Sequence, residues 1–513
     1  MKNRCKNKAA GIFIFIDRFH WLWLALSSPL LMFPSPKRSL FLLVVPSLWL
    51  IHYLVAFCFD TEKSKSMIPF TPLNISLLLM IMMVLVSLWA TSDMVLSLEK
   101  VSGTVLGFGV FFCVVRSGRN RFDWLFTVTA FLTGGFAWAV IGLLGMDYRT
   151  RFALFTPIIR KIPRLLNALP GTEDGLHHNA VGGTLLWVIP LFLIFCLNFI
   201  FHFEEDLGGK KFIYPFGDGK QKEKNKNSKG NKWEDHFLRK SLRRIFLNMG
   251  SSKEAWKGLF TILCWTGALF SCVVLLLSQS RGSYLALGLT LISFLLIVFS
   301  PKWRRIFLIV ILIFICIFTA VLFATGGWER FVFKLGLSEQ AGFSIDSIAG
   351  RIEIWKRAVY AIQDFPITGM GMNTFREVVH ILYPLFTISP DMDFGHAHNE
   401  FLQVALDLGI PGLIAFISIY IISFWMLFKI WQYEDEKISE DQSLQAGIFR
   451  TITSQQMLVL GLGGGLFGHM VFGMADAITL GAKPGIFYLY LLGLITSLYK
   501  LMSKNHDDKL LND

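Results

Sequence analysis

The chain has 513 residues, of which 54% are hydrophobic and 17% are charged, and its formal net charge is +13. This composition excludes an ordinary soluble protein. The positive charge does not indicate nucleic-acid binding, because the basic residues gather mostly in short segments that flank apolar runs. Apolar runs of about 20 residues recur along the chain, and each is long enough to cross a bilayer as a helix. We therefore predict an all-α polytopic membrane protein.

About twelve transmembrane helices are predicted, together with a large helical periplasmic loop. The predicted spans cover residues 20–34, 39–59, 73–92, 97–116, 122–146, 180–202, 257–277, 283–300, 306–326, 409–431, 453–475 and 480–500. The predicted organisation is helices 1–6 in residues 1–202, a basic cytoplasmic loop at 203–256, helices 7–9 in 257–326, a periplasmic loop domain at 327–408, and helices 10–12 with a cytoplasmic tail in 409–513.

Basic residues set the predicted orientation of these spans. The segment 203–256 carries thirteen lysines and arginines, and Arg116, Arg119 and Arg121 lie between the fourth and fifth spans. The positive-inside rule assigns these segments to the cytoplasm, together with both termini. Within the basic loop, residues 233–246 have the pattern of a basic amphipathic helix, which favours anionic lipid over a regulatory partner helix.

The sequence offers weak signals for metal binding. Its seven cysteines lie in the amino-terminal tail or within apolar spans, so we predict no disulfide framework and no structural zinc site. Asp391 and Asp393 have the spacing of a metal-binding carboxylate pair, but a lone pair of this kind has little specificity. We predict no metal and no other cofactor.

The outer segment 327–408 is too long to be a simple connection. Its residues 350–365 predict an amphipathic helix that Pro366 ends, and a shorter helix is predicted at 376–383. The predicted apolar face of the first helix consists of Ile354, Trp355, Ala358, Val359, Ile362 and Phe365. The stretch 395–412 then puts two histidines, an amide and a carboxylate at the start of a helix, which we expect Gly409 and Pro411 to stop.

Polar clusters from separate parts of the chain all fall on the predicted outer face. They are His177, His178 and Asn179; the segment from Ser278 to Ser283 with Ser280 and Arg281; Arg351; and His396, His398 and Asn399. Unrelated loops would scatter such residues over both faces of the membrane. The convergence therefore predicts an outward-facing site.

The residue types in these clusters favour an anion site with a nearby base. Arg281 and Arg351 each offer a guanidinium fork that fits a phosphate, although Arg281 alone could be an interfacial anchor and Arg351 a solvated helix residue. His398 could act as a general base near neutral pH, or be only a polar residue at a helix start. Asn399 and Glu400 could be ordinary first-turn residues that cap the helix.

Several short motifs resemble one known family. His398-Asn399, followed after nine residues by Gly409 and after two more by Gly412, resembles the signature of the O-antigen ligase family. Ser280-Arg281-Gly282, Gly350-Arg351 with Trp355, Pro366-Ile-Thr-Gly-Met-Gly371 and His178-Asn179 agree with the same family. The resemblance covers about residues 170–500 and extends to polysaccharide-repeat polymerases and protein O-oligosaccharyltransferases. Leu413 stands where ligases tend to have threonine, and 203–256 looks like an insertion.

This resemblance implies a metal-independent, inverting glycosyltransferase of the bacterial inner membrane with its active site facing the periplasm. The implied donor is an undecaprenyl-diphosphate-linked glycan, and the implied acceptor is a hydroxyl of the lipid A core of lipopolysaccharide. Arg281 and Arg351 would hold the diphosphate, and His398 would take the proton of the acceptor, with His396 orienting or replacing it. The remaining family positions, His178, Asn179, Asn399 and Ser280, would bind substrate or support the site.

Other functions stay open from the sequence. A repeat-unit polymerase for O-antigen or exopolysaccharide shares the donor chemistry and differs in its acceptor, and a protein hydroxyl is a third possible acceptor. A transporter or flippase for the lipid-linked glycan belongs to another class. Twelve spans with a long middle loop resemble the layout of major-facilitator transporters, but those proteins concentrate their functional residues near the bilayer midplane.

Overall fold

The computed structural model describes residues 13, 15–17, 19–59, 70–118, 120–148, 155–165, 175–207, 252–325, 348–386, 388–389, 393–440, 452–481 and 483–510. Within these residues the protein is built from helices and holds no β-strand, apart from one isolated bridge between Met146 and Leu176. The predicted all-α class is confirmed.

The helices follow one another along the apolar runs of the sequence. In chain order they are α1 (His20–Met32), a 3₁₀ helix (Pro36–Leu43), α2 (Val44–Phe59), α3 (Asn74–Ala90), α4 (Met94–Ser117), α5 (Arg121–Gly145), α6 (Thr156–Ile159), α7 (His178–Leu207), α8 (Ser252–Ser278), α9 (Arg281–Val298), α10 (Pro301–Thr325), α11 (Ile348–Asp364), α12 (Phe375–Leu382), α13 (Glu400–Glu440), α14 (Ser454–Gly473) and α15 (Gly485–Leu510).

Ten helices in the described part of the chain are long and apolar enough to cross a membrane. Each of the twelve predicted spans overlaps a helix, but α1 has only 13 residues and α3 only 17, whereas the 16-residue α2 reaches spanning length together with the 3₁₀ helix before it. A helix needs about 20 residues to cross the hydrocarbon core. The protein is a multi-pass membrane protein whose described residues contain ten spans of full length rather than twelve.

Helices α7 and α14 form the centre of the bundle. A Cβ atom on Gly465 of α14 would lie 2.8 Å from the backbone oxygen of Trp187, so only glycine lets the two backbones approach so closely. Helix α10 is the opposite case, since none of its residues is buried. Because α7 and α14 pack so closely, the polar residues at their ends can meet in one site.

The segment 348–408 has its own apolar core, to which α11, α12 and the start of α13 contribute. Its buried residues include Ile354, Ala358 and Ala361 from α11, Phe375 and Val379 from α12, and Leu406 from α13. Val359 and Phe365 were expected on the buried face of α11, but they are 42% and 37% exposed. The buried positions step by four and three residues, which turns Val359 away from this core. Both helices otherwise occupy the predicted ranges.

Helix α13 combines two segments that the sequence predicts separately, a helix that starts at the histidine cluster and a span that begins at 409. The structure runs them together as one element that starts at Glu400 and is broken inside by Gly409, whose φ is 68° and ψ is −178°. A Cβ atom on Gly409 would lie 2.2 Å from the backbone oxygen of Ile367, so the break needs glycine. Pro411 is tolerated because it lies in the first turn after the break. The predicted interruption is confirmed, but it joins two helical segments instead of ending one.

The predicted basic loop at 203–256 lies outside the described residues, except for the carboxyl end of α7 and the start of α8. Arg119 and Asp391 also lie outside them.

Candidate active site

The loop at residues 474–481, which joins α14 to α15, contacts the predicted site residues from several elements. Its Asp476 is 1% exposed, and one carboxylate oxygen, Oδ1, lies 3.0 Å from Nε2 of His396 and 3.8 Å from Nδ1 of His398. Burial alone would raise the pKa of Asp476, but the hydrogen bond from His396, and the positive charge that His396, His398 and His177 carry when protonated, hold it well below its usual range. A buried, ionised carboxylate therefore lies beside both histidines.

The hydrogen bonds of His396 assign its tautomer. The backbone N–H of His398 donates to Nδ1 of His396 over 3.1 Å, so Nδ1 carries a lone pair and no proton. The proton of the neutral ring is then on Nε2, where it donates to Asp476. Because both nitrogens of His396 are engaged, this histidine is suited to orienting its neighbours and not to accepting a substrate proton.

His398 adopts a conformation that its own residue type disfavours. Its φ of 48° lies in the left-handed region, which costs a non-glycine residue about 1–2 kcal/mol. The preceding residue is held on both sides: the N–H of Ala397 donates to Oε1 of Gln403 over 2.7 Å, and Nε1 of Trp355 donates to its carbonyl over 3.0 Å. We call residues 395–399 the base turn. These contacts fix the backbone before His398 and so set the direction in which its side chain projects.

Asn399 and Glu400 tie the base turn to the 474–481 loop. The side-chain oxygen of Asn399 accepts from the backbone N–H groups of Phe401 and Leu402, so it caps α13, and its amide donates to the carbonyl of Met474 over 3.2 Å. Glu400 accepts from the N–H groups of Ile478 and Thr479, at 2.8 and 3.1 Å. Asn399 is therefore the capping group of α13, whereas Glu400 binds the loop.

Of the two predicted phosphate-binding arginines, Arg351 contacts the same loop, and the backbone next to Arg281 lies near it. Arg351 of α11 donates from NH1 to the carbonyl of Ala475 over 2.8 Å, and its buried Nε has no hydrogen-bond partner among the described residues. Arg281 is the first residue of α9, and a Cβ on the adjacent Gly282 would lie 3.9 Å from the Cβ of Ala475. Residues far apart in sequence thus meet next to Asp476.

His178 and Asn179 lie at the start of α7, and Asn179 contacts the start of α9. Ser280 donates to the side-chain oxygen of Asn179 over 2.8 Å, and the Ser280 hydroxyl also accepts from the N–H of Ser283 at the start of α9. His178 is fully buried, with its ring 4.3 Å from that of His177. Asn179 and Ser280 therefore join α7 to the helix that carries Arg281.

Residues 266–417 match the O-antigen ligase family model. The chain carries an O-antigen ligase domain. The matched stretch holds Arg281, Arg351, His396, His398 and the Gly409 break, and it is shorter than the 170–500 region over which the motifs resemble the family. A comparison with curated proteins found no match.

This domain match supports a function of the ligase or polymerase type and a glycosyltransferase-like activity, and the apolar helices indicate a multi-pass membrane protein.

Asp476 lies outside the matched O-antigen ligase domain and was missed by sequence reasoning. The available signal was its position: it is an acidic residue just after an apolar span, on the same predicted side as the histidines. Nothing local distinguishes it from a solvated loop carboxylate. Only the packing of α14 against the O-antigen ligase domain brings it to His396.

Two histidines and a carboxylate also form a possible metal-ligand set, since ligand atoms of His396, His398 and Asp476 all lie within 4.8 Å of one another. The tautomer of His396 does not fit this use. With Nδ1 accepting a hydrogen bond, Nε2 carries the proton and has no lone pair for an ion. In the predicted carboxylate pair, Asp393 accepts from Nε of Arg376 over 2.9 Å.

Proposed function

We propose that this protein transfers a glycan from an undecaprenyl-diphosphate carrier to an acceptor hydroxyl at the periplasmic face of the bacterial inner membrane. The observation that carries the proposal is the buried carboxylate of Asp476, which lies 3.0 Å from His396 and 3.8 Å from His398. Arg351 reaches the same loop through Ala475. A histidine base beside fixed cations suits transfer from a diphosphate donor, whereas transporters keep their polar groups near the middle of the spans.

In the proposed reaction, the acceptor oxygen attacks the anomeric carbon while His398 takes its proton. The bond from that carbon to the diphosphate oxygen breaks, and its electron pair stays on the diphosphate, where Arg281 and Arg351 stabilise the charge. Attack from the face opposite the diphosphate inverts the anomeric configuration. A diphosphate leaves without protonation, so the step needs no acid partner and no metal.

Asp476 and His396 prepare His398 for this role. The low pKa of Asp476 keeps its carboxylate ionised, so it stabilises the imidazolium that forms on His398 when the proton arrives. His396 bridges the two through its bonds to Asp476 and to the backbone of His398. The arrangement resembles other sites in which a buried carboxylate orients a catalytic histidine.

The proposed acceptor is a sugar hydroxyl of the lipid A core, because the spacing from His398 to Gly409 and Gly412 resembles that of ligases. Leu413, which replaces the threonine that ligases tend to have, keeps a repeat-unit polymerase as the second candidate. Ligase and polymerase share the donor step. Their acceptors separate them.

The test uses purified protein with lipid-linked oligosaccharide and each candidate acceptor in a separate reaction. Loss of the diphosphate-linked species and gain of glycan on one acceptor would support the proposal. The acceptor that is used would distinguish a ligase from a polymerase. His398→Ala and Arg281→Ala should each abolish transfer while the proteins remain folded, and a chelator should leave the wild-type rate unchanged. Movement of the lipid across vesicles without bond cleavage would instead make the protein a transporter.

A further inference from the structure

A buried chain of hydrogen bonds connects helix α4 to the backbone of the base turn. Nζ of Lys100 lies 2.9 Å from Oδ2 of Asp407. The other oxygen of Asp407, Oδ1, accepts from Nε2 of Gln403 over 2.8 Å and from the N–H of Asn373 over 3.0 Å. Oε1 of Gln403 in turn accepts from the N–H of Ala397, at 2.7 Å. One continuous path therefore runs from Lys100 to the peptide between His396 and His398.

This path differs from an ordinary surface ion pair. Asp407 is 1% exposed, and its two oxygens receive three donors, so the buried charge is fully satisfied. A buried ion pair is weak evidence for stability, since apolar residues of the same size often stabilise a fold as well. Its geometry is more informative: it fixes which way the amide of Gln403 points, with the oxygen toward Ala397.

The direction of the Gln403 amide matters because the base turn is strained. His398 has a φ of 48°, and a residue other than glycine keeps such a conformation only when its surroundings hold it. Ala397 is fully buried, so loss of its Gln403 acceptor would leave an N–H group unsatisfied inside the protein. The turn would then relax, and the ring of His398 would move with it.

We propose that Lys100, Asp407 and Gln403 form a positioning relay that holds His398 in the geometry required to take a proton. The proposal rests on the function proposed above. The three residues act through the backbone of Ala397 and are positioning residues. Lys100 lies in α4, which corresponds to the fourth predicted span. The relay therefore connects α4 to a site whose other residues all follow residue 176.

The first test is Gln403→Leu, which removes the acceptor for Ala397 and keeps the side chain at nearly the same size. The expected result is a fall in kcat of about 10- to 100-fold, because small misplacements of a reacting group have effects of this order. The KM for the lipid-linked donor should change by less than about twofold, since the arginines that bind the diphosphate lie on other elements. A residue with only a structural role would lower the yield of folded protein and leave kcat unchanged.

A second measurement does not depend on turnover. Amide hydrogen exchange of peptides that cover residues 395–400 should become at least about tenfold faster in Gln403→Leu, because the Ala397 amide loses its acceptor. Peptides from α15 should exchange as in the wild type. Unchanged exchange at 395–400 would overturn the relay even if the enzyme is the glycosyltransferase proposed above.

Rescue provides the third measurement. In Asp407→Asn, the amide can serve Gln403 and Asn373 only by turning its NH₂ group toward Lys100, which leaves a buried ammonium without a partner. Both kcat and the yield of folded protein should fall. The double variant Lys100→Met with Asp407→Asn removes that charge and should restore kcat to within about threefold of the wild type. If the double variant is as slow as Asp407→Asn alone, the relay is refuted.

The matched control lies on the same helix. Arg116 of α4 pairs with Asp17 over 2.7 Å, and it is as little exposed as Lys100 but about 24 Å away at the other end of the helix. Arg116→Met should lower stability and leave both kcat and exchange at 395–400 unchanged. If the wild type transfers glycan to none of the acceptors, the proposed function is refuted. The hydrogen-exchange experiment would still decide whether the relay holds the base turn.

Discussion

At the scale of single residues, the structure separates two histidines that look equivalent in the sequence. His396 uses Nδ1 to accept from the backbone and Nε2 to donate to Asp476, so both of its nitrogens are engaged. His398 lies 3.8 Å from the same carboxylate, beyond a direct hydrogen bond but close enough for charge stabilisation. This geometry supports the proposed base role of His398 and the orienting role of His396.

This assignment predicts unequal effects of matched substitutions. His398→Gln should lower kcat by about 10³-fold, within the range that a general base contributes. His396→Gln should lower it by about 10- to 100-fold, because glutamine can still donate to Asp476 while losing the acceptor for the His398 backbone. Single-turnover transfer from lipid-linked donor measures both. Equal losses in the two variants, or a greater loss in His396→Gln, would reverse the roles.

The pH dependence follows from the low pKa of Asp476. A carboxyl group whose folded pKa is depressed contributes stability above its unfolded pKa, near 3.9, and loses it only as the pH falls through the lower folded value. Asp476 therefore stays ionised between pH 5 and 8, and a loss of activity on acidification in that range reports protonation of histidine.

Asp476→Asn should move the acid limb of the kcat/KM profile toward lower pH, since a neighbouring carboxylate favours the charged imidazole. The maximal rate should also fall, because the imidazolium formed during transfer loses its counter-charge. The measurement is a pH–rate profile of both proteins from pH 5 to 9. A limb at the same pH in Asp476→Asn would show that this carboxylate does not act on the base.

At the scale of elements, the site depends on interruptions of helices. The break at Gly409 lets residues 400–408 pack on the apolar core of segment 348–408, while the rest of α13 continues as a long apolar helix. The 474–481 loop similarly follows the end of α14 and brings Asp476 to the base turn. Both interruptions adjoin long apolar helical segments, so the site forms beside helices long enough to cross a membrane.

Gly409→Ala tests the importance of the first interruption. Its φ of 68° disfavours a side chain, and a Cβ atom would lie 2.2 Å from the backbone oxygen of Ile367. We expect a loss of about 2 kcal/mol in stability, since strained backbone positions have effects of this size. Gly288→Ala in α9 is the control, because a Cβ there has nothing within 4 Å. Thermal unfolding in detergent should separate the two variants, and equal melting temperatures would contradict the reading of the break.

At the scale of the whole molecule, the clusters predicted from separate segments gather at one end of the bundle. The starts of α7 and α9 join through Asn179 and Ser280, and the start of α11 reaches Ala475 through Arg351. The start of α13 meets the same loop through Glu400. Because α9 starts at this end, the connection between α9 and α10, next to Lys302, Arg304 and Arg305, lies at the other.

Cysteine accessibility tests the predicted orientation of this end. Glu377→Cys in α12 should react with a membrane-impermeant thiol reagent in intact spheroplasts, and Arg304→Cys at the start of α10 should react only after permeabilisation. The wild type provides the background from its own cysteines. The opposite labelling pattern would put the site in the cytoplasm and exclude a periplasmic acceptor.

The sequence by itself determined the class of the protein, because apolar runs of sufficient length can only be helices in lipid. It also determined most helix positions, the break at Gly409, and the motifs that carry the histidines and arginines of the candidate site. These are local properties: run length, glycine and proline positions, and motifs within a few residues of one another. The helix start after the histidine cluster and the interruption at Gly409 also follow from local signals, but the continuation of both segments as one broken helix, α13, depends on the close approach of Gly409 to Ile367.

Only the tertiary structure decided which groups meet. Asp476, Gln403, Asp407 and Lys100 carry no motif, and their roles arise from contacts between elements far apart in the chain. The tautomer of His396 likewise depends on a backbone N–H and a carboxylate that lie two and eighty residues away. Hydrogen bonds act over about 3 Å in space, without regard to separation in sequence, so the pairing of these groups follows from packing alone.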